Sequence, residues 1–152
     1  MKIKEILNTR DTGYEVTVNG WVKTRRDGKK VSFIALNDGS SINNIQIVIE
    51  GPSFSEKLIK QITTGACIRV FGKLVSSKGS GQNAEILAST IEILGLADVD
   101  EYPLQPKKHS LKFLREKAHL RFRTNTFSAI FRLRHSLSFA IHKFFNDNGF
   151  FN

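Results

Sequence analysis

The chain of 152 residues is 40% hydrophobic and 24% charged, which suits one folded domain with a real core and part of a second. Its net charge of +9 is uneven: residues 1–100 carry 13 Lys and Arg against 11 Asp and Glu, whereas residues 101–152 carry 10 against 3 and all four histidines. Such an excess points to a polyanionic partner, nucleic acid ahead of a membrane surface, while one cysteine excludes an internal disulfide and a thiolate metal cluster.

The start, "MKIKEILNTRDTG", has no apolar run of signal-peptide length, and no later stretch approaches a membrane span, so the cytoplasm is the expected compartment. Residues 14–26, "YEVTVNGWVKTRR", are rich in β-branched and aromatic residues and run into Asp27-Gly28, a turn signal. A second strand over 31–37, "VSFIALN", ends at Asp38-Gly39, and a third over 44–50 alternates with Ile45, Ile47 and Ile49 on one face and Gln46 and Val48 on the other. Gly51-Pro52 stops it. Residues 53–62, "SFSEKLIKQI", read as a short helix opened by a Ser53–Glu56 capping box, with Phe54, Leu58 and Ile62 four apart. Two more strands are expected over 66–75 and 84–94, joined by the Gly- and Ser-rich loop "SSKGSGQN". Cys67, within "ACIRVFG", is expected to be a small buried hydrophobe.

Three strands, a helix and two strands is the order of the OB-fold, a five-stranded Greek-key barrel. The character then changes. "DVDEYPLQPKKHS" (98–110) holds two of the three prolines and opens the basic excess, and nine of the twelve phenylalanines crowd into the last 40 residues. From Asn125 a helical stripe appears, with Phe127, Ile130, Phe131, Leu133, Leu137, Ala140, Ile141, Phe144 and Phe145 on one broad face. Asn125 or Thr124 caps its start and Asn148-Gly149 its end. The expected architecture is therefore mainly β with a C-terminal α element: a barrel over 1–100, a basic hinge over 101–124 and a long amphipathic helix within 125–152. The closing "GFFN" leaves apolar side chains with little to pack on, so either the helix dimerises or the chain is a piece of something longer; the second is the expectation.

If Ile34, Leu36, Ile45, Ile47, Ile49, Ile86 and Ala88 fill the barrel, Phe33, Gln46 and Glu85 all point outward. OB-folds bind oligonucleotides on strands two and three between the loops that follow strands one and four, here "DGKK" and "SSKGSGQN". An outward ring is a stacking platform for a base, Gln and Glu carry donors and acceptors for base edges, and Arg25, Arg26, Lys29 and Lys30 supply the phosphate attraction. Each residue has a plainer reading: Phe33 as core displaced by a bulge, Gln46 and Glu85 as solvent-facing strand residues, and the basic turn as a soluble hairpin tip. No catalytic constellation appears. Gly72-Lys73 is followed by Leu74, so there is no P-loop; His135 and His142 lack a third ligand, and no metal site is assigned.

Four stretches, "GWVKTRRDGKKVSFIALNDGS", "TTGACIRVFGKLV", "YPLQPKKHSLKFLREKAHLRFRTN" and "FRLRHSLSFAIHKFFNDNGF", together resemble the N-terminal third of bacterial asparaginyl-tRNA synthetases, class II enzymes of the subgroup shared with the aspartyl and lysyl enzymes. One departure is Phe122, where the family's hinge phrase has proline. The resemblance implies that the barrel binds a tRNA anticodon, GUU, with Phe33 stacked on the middle uridine and Gln46 hydrogen-bonded to it. It implies further that Arg26 contacts an anticodon base or its phosphate, and that Glu85 helps to read the first base. The helix over 126–148 matches the first class II motif, which makes Phe127, Ile130, Phe131, Leu137, Ile141 and Phe144 a homodimer interface. The whole ligase would use ATP and Mg²⁺ to activate asparagine. The motifs for that chemistry do not occur here, so this chain is expected to bind neither and to be inactive alone. The alternative is a free-standing OB module that binds RNA or single-stranded DNA and dimerises through its helix.

Overall fold

The computed structural model describes residues 1–77, 79 and 82–151; Lys78, Ser80 and Gly81, which belong to the predicted Gly- and Ser-rich loop, and the terminal Asn152 lie outside the described residues. The chain divides into two compact units, Met1–Lys108 and His109–Asn152.

In the first unit five strands, β1 (Glu15–Asp27), β2 (Val31–Asn37), β3 (Ile45–Glu50), β4 (Cys67–Ser76) and β5 (Ala84–Gly95), close into a barrel in the order β1-β2-β3-β5-β4. All neighbours are antiparallel except β3 and β5. Closure leaves no sheet edge open to pair with another chain. The interior is aliphatic: Ile34, Leu36, Ile45, Ile47, Ile49 and Ile86 are wholly buried, as the alternation requires. Cys67 differs from its expected burial. It is half-buried, paired with Trp21 of β1 and Gly95 of β5 near a barrel rim.

Two helices close the barrel. The helix α1 (Ile3–Asn8) was not expected from the sequence, yet it buries Ile3 and Ile6 completely. Six residues are too few to be a stable helix alone. Its first amides are satisfied from 35 and 36 residues away: Asp38 Oδ2 accepts from Ile3 N at 2.9 Å and Ser40 Oγ from Lys4 N at 3.0 Å. Burial alone would raise the Asp38 carboxyl, but donation from Ser40 Oγ and from the Ile3 and Ser40 amides outweighs it and holds the group below the usual carboxylate range.

The helix α2 (Glu56–Gln61) starts later than the capping-box expectation. Ser55, not Ser53, is the cap and accepts from Leu58 N at 3.3 Å, because Gly51–Ser53 forms a short 3-10 turn first. Ile62, just beyond α2, is wholly buried, with Phe54 and Leu58 packed against the core.

Residues 101–108 pack with the first unit, where a methyl group on Gly65 would stand 2.7 Å from the Tyr102 ring. In the second unit, α3 (Leu111–Glu116) is capped by Ser110 and α4 (Asn125–Asp147) by Thr124, whose Oγ1 accepts from Phe127 N at 3.4 Å. Asn148 and Gly149, the latter at φ +80°, end α4. Its apolar stripe is open: no residue of α4 is buried, and Ile130, Leu137, Ile141 and Phe144 are each about half exposed or more. Phe127 and Phe131 are half-buried beneath the Arg121 guanidinium, 4.8 and 5.6 Å from the two ring centroids.

Candidate nucleic-acid interface

Cross-strand pairing decides which side chains share the outer surface. Phe33 of β2 lies opposite Arg26 of β1 and Val48 of β3, and Val48 lies opposite Leu87 of β5. One step along, Ala35 lies opposite Gln46, and Gln46 opposite Glu85. Residues opposite each other across a ladder share a face, so these form two adjacent rows on the outside of the barrel. Arg26, Phe33, Gln46, Val48, Glu85 and Leu87 from these rows line an open cleft of roughly 1060 Å³. Phe33 is half-buried there, with an aliphatic surround and part of its ring exposed. It is not in the barrel core.

The two arginines part company. A bulge between Val22 and Thr24 inserts Lys23 and reverses the in–out alternation of β1 beyond it. Arg26 is thereby exposed on the face of Phe33, while Arg25 takes the side of Ile34. The Arg25 guanidinium donates to the carbonyl of Ile59 and, at 3.1 Å, to that of Ile62, capping the end of α2. It also pairs with Asp27 at 3.1 Å, and Asp27 Oδ1 accepts from Ser32 Oγ at 2.8 Å. Arg25 thus ties the hairpin base to α2 instead of reaching toward a ligand, which differs from its expected place among the phosphate contacts. Lys29 and Lys30 are exposed at the turn closed by Gly28 N donating to Val31 O at 2.9 Å.

Gln46 and Glu85 are joined directly: Gln46 Nε2 donates to Glu85 Oε2 at 2.9 Å. Ser77 and Gln82 belong to the same network. Both lie in the "SSKGSGQN" loop expected to flank the binding face, though nothing in the sequence singles out these two within it. Among the described residues no group of three or more His, Cys, Asp or Glu stands together to hold a metal ion, and no helix is long and apolar enough to cross a membrane.

An outward aromatic ring, hydrogen-bonding side chains and exposed cations on one face of a closed five-stranded barrel form the arrangement that OB-folds use to hold oligonucleotides. The family model of the OB-fold nucleic acid binding domain matches residues 16–94, and the chain belongs to that family. The same stretch of sequence recurs in asparagine–tRNA ligases. The chain is 60% identical over 150 residues to that of Phocaeicola vulgatus and 53% identical over 152 residues to that of Cytophaga hutchinsonii. Each alignment covers 99% of this chain, but 32% and 33% of those proteins, so the chain spans about a third of the length of these curated relatives. In three dimensions it resembles asparaginyl-tRNA synthetase from Pyrococcus horikoshii, with a TM-score of 0.82 at 22% identity over 98% of this chain and 36% of that one, a likeness of fold.

Proposed function

We propose that the outer face of β1, β2, β3 and β5 binds the anticodon loop of a tRNA, and that the chain is the anticodon-binding part of an asparagine–tRNA ligase acting in the cytoplasm. The observation that carries this reading is the position of Phe33: a ring on the barrel's outer face, between an exposed arginine and an aliphatic floor, one row from a Gln–Glu pair. Stacking there holds an unpaired base without regard to its identity, and side-chain amides and carboxylates beside it read the base edge. Phe33 takes the middle base of a GUU anticodon, Gln46 pairs with that base, and Glu85 faces the first. Arg26 contacts a base or its phosphate, and Lys29 and Lys30 contact the backbone. Arg25 supports this set from within the fold. The strong identity to the ligases supports the amino-acid assignment.

In the same reading, the open stripe of α4 is a homodimer interface in which Phe127, Ile130, Phe131, Leu137, Ile141 and Phe144 meet the same helix of a second subunit. ATP and Mg²⁺ serve the whole ligase, and no residue of this chain is assigned to them. Leu137→Glu is expected to convert a dimer to a monomer in sedimentation; a wild-type chain that stays monomeric at high concentration would remove the interface from the proposal.

The phosphate roles have their own test. Binding of an anticodon stem-loop should weaken with salt, and the slope of log affinity against log salt should fall by roughly 0.7 for each of Lys29 and Lys30 replaced by alanine. A double variant with the wild-type slope would place the phosphates elsewhere.

A further inference from the structure

The carboxamide of Gln46 is held in one of its two senses. Nε2 donates to Glu85 Oε2, and an ionised carboxylate only accepts, so turning the amide over would set Oε1 against another oxygen. Glu85 is itself held. Ser77 Oγ donates to the same Oε2 at 3.2 Å. That hydroxyl accepts from Gly79 N at 3.1 Å and from Gln82 Nε2 at 3.3 Å. With both acceptor positions taken, the single hydroxyl proton is left for the carboxylate. The chain from Ser77 through Glu85 to Gln46 is thus set before any ligand arrives.

Amide sense matters for one choice in particular. Uracil presents the O4 acceptor beside an N3–H donor, whereas cytosine presents an N4–H donor beside the N3 acceptor. Once a ring is fixed by stacking on Phe33, one sense of the Gln46 amide complements the first edge and meets the second donor to donor and acceptor to acceptor. We propose that Glu85 and Ser77 are positioning residues that set the Gln46 amide to accept a keto pyrimidine, uridine, and to reject the amino pyrimidine, cytidine. The inference rests on the anticodon reading above, which supplies uridine as the edge that the fixed sense complements, and adds to it the origin of pyrimidine selectivity.

Two stem-loops, each with guanosine at the first anticodon position and with uridine or cytidine at the second, are titrated into the wild type, Glu85→Gln and Ser77→Ala. Because both loops keep the guanosine, any contact of Glu85 with that base, and the general effect of removing a negative charge, cancel in the affinity ratio. The wild type should favour uridine by about tenfold or more, and Glu85→Gln, whose own amide pairs with Gln46 in either sense, should bring the ratio to about twofold. Ser77→Ala should move it the same way by less, and it keeps the test open if Glu85→Gln does not fold. The free protein gives a second readout. One proton of the Gln46 side-chain amide should be shifted and slow to exchange in the NMR spectrum, and should lose both features in Glu85→Gln. Folded variants with the wild-type ratio would overturn the positioning role while leaving the RNA reading intact. A wild type indifferent to the pyrimidine would overturn the anticodon reading itself, and the positioning role with it.

Discussion

Phe33→Ala is expected to weaken binding of an anticodon stem-loop by roughly 5- to 150-fold, the loss of about 1–3 kcal/mol that stacking on one aromatic ring contributes. The barrel should survive the change. Phe33 sits on the outer face, half-buried, while the interior is filled by the isoleucines and leucine on the opposite side of the same strands. Truncating a half-buried ring leaves no enclosed cavity, so the stability cost should stay near about 1 kcal/mol, well short of the roughly 3–5 kcal/mol of a core aromatic. The two quantities must be measured together, by titration with RNA and by thermal melting of the free protein. A large fall in melting temperature with unchanged affinity would mean that Phe33 holds the sheet together and does not hold a base.

The largest expected effect on stability comes from Gly72→Ala. Gly72 is buried in β4, where a bulge brings it opposite Ala88 of β5 while Val16 of β1 pairs with it on the other side. A methyl group at Gly72 would stand 2.2 Å from the Leu87 carbonyl oxygen and 2.9 Å from the Ala88 Cα. Both are backbone atoms of a strand paired on each side, so neither can move without opening the ladder that closes the barrel. The expected cost is about 3 kcal/mol or more, which for a unit of this size lowers the melting temperature by more than roughly 10 °C. Gly95→Ala is the control. Its added methyl meets only Cys67 Cβ, at an ordinary 3.7 Å, and should shift the melting temperature little. Equal stability of Gly72→Ala and Gly95→Ala would show that β4 and β5 are not in the tight register described.

Much of the barrel was legible because its signals are local. Ile45, Ile47 and Ile49 alternate, and Asp27-Gly28 and Asp38-Gly39 punctuate the strands, so the inward set followed from a period of two. The outward placement of Phe33, Gln46 and Glu85 followed from the same parity. Where the outcome depended on partners distant in sequence, the reading failed. The Lys23 bulge is set by how β1 meets β2, and nothing in "VKTRRDG" says that parity reverses there, so the strand pattern alone does not separate Arg25 from Arg26. The α1 helix exists because Asp38 and Ser40 satisfy its amides and the barrel end takes Ile3 and Ile6, none of which its own six residues announce. The choice of Ser55 over Ser53 as a cap reflects the 3-10 turn that follows β3. The Ser77–Glu85–Gln46 network depends on a contact between Gln46 and Glu85, 39 residues apart, which no pattern within a window can reveal.

The measurement that bears most directly on the function is the affinity of this chain for a stem-loop carrying GUU against one whose middle base is changed, each at two salt concentrations. Base-specific anticodon reading requires tighter binding of the GUU loop at both salts, with parallel slopes, because the shared phosphates set the slope while the base contacts set the gap. Equal binding to both loops, weakening together with salt and with nothing else between them, would contradict it and leave a barrel that holds single strands by charge and stacking alone.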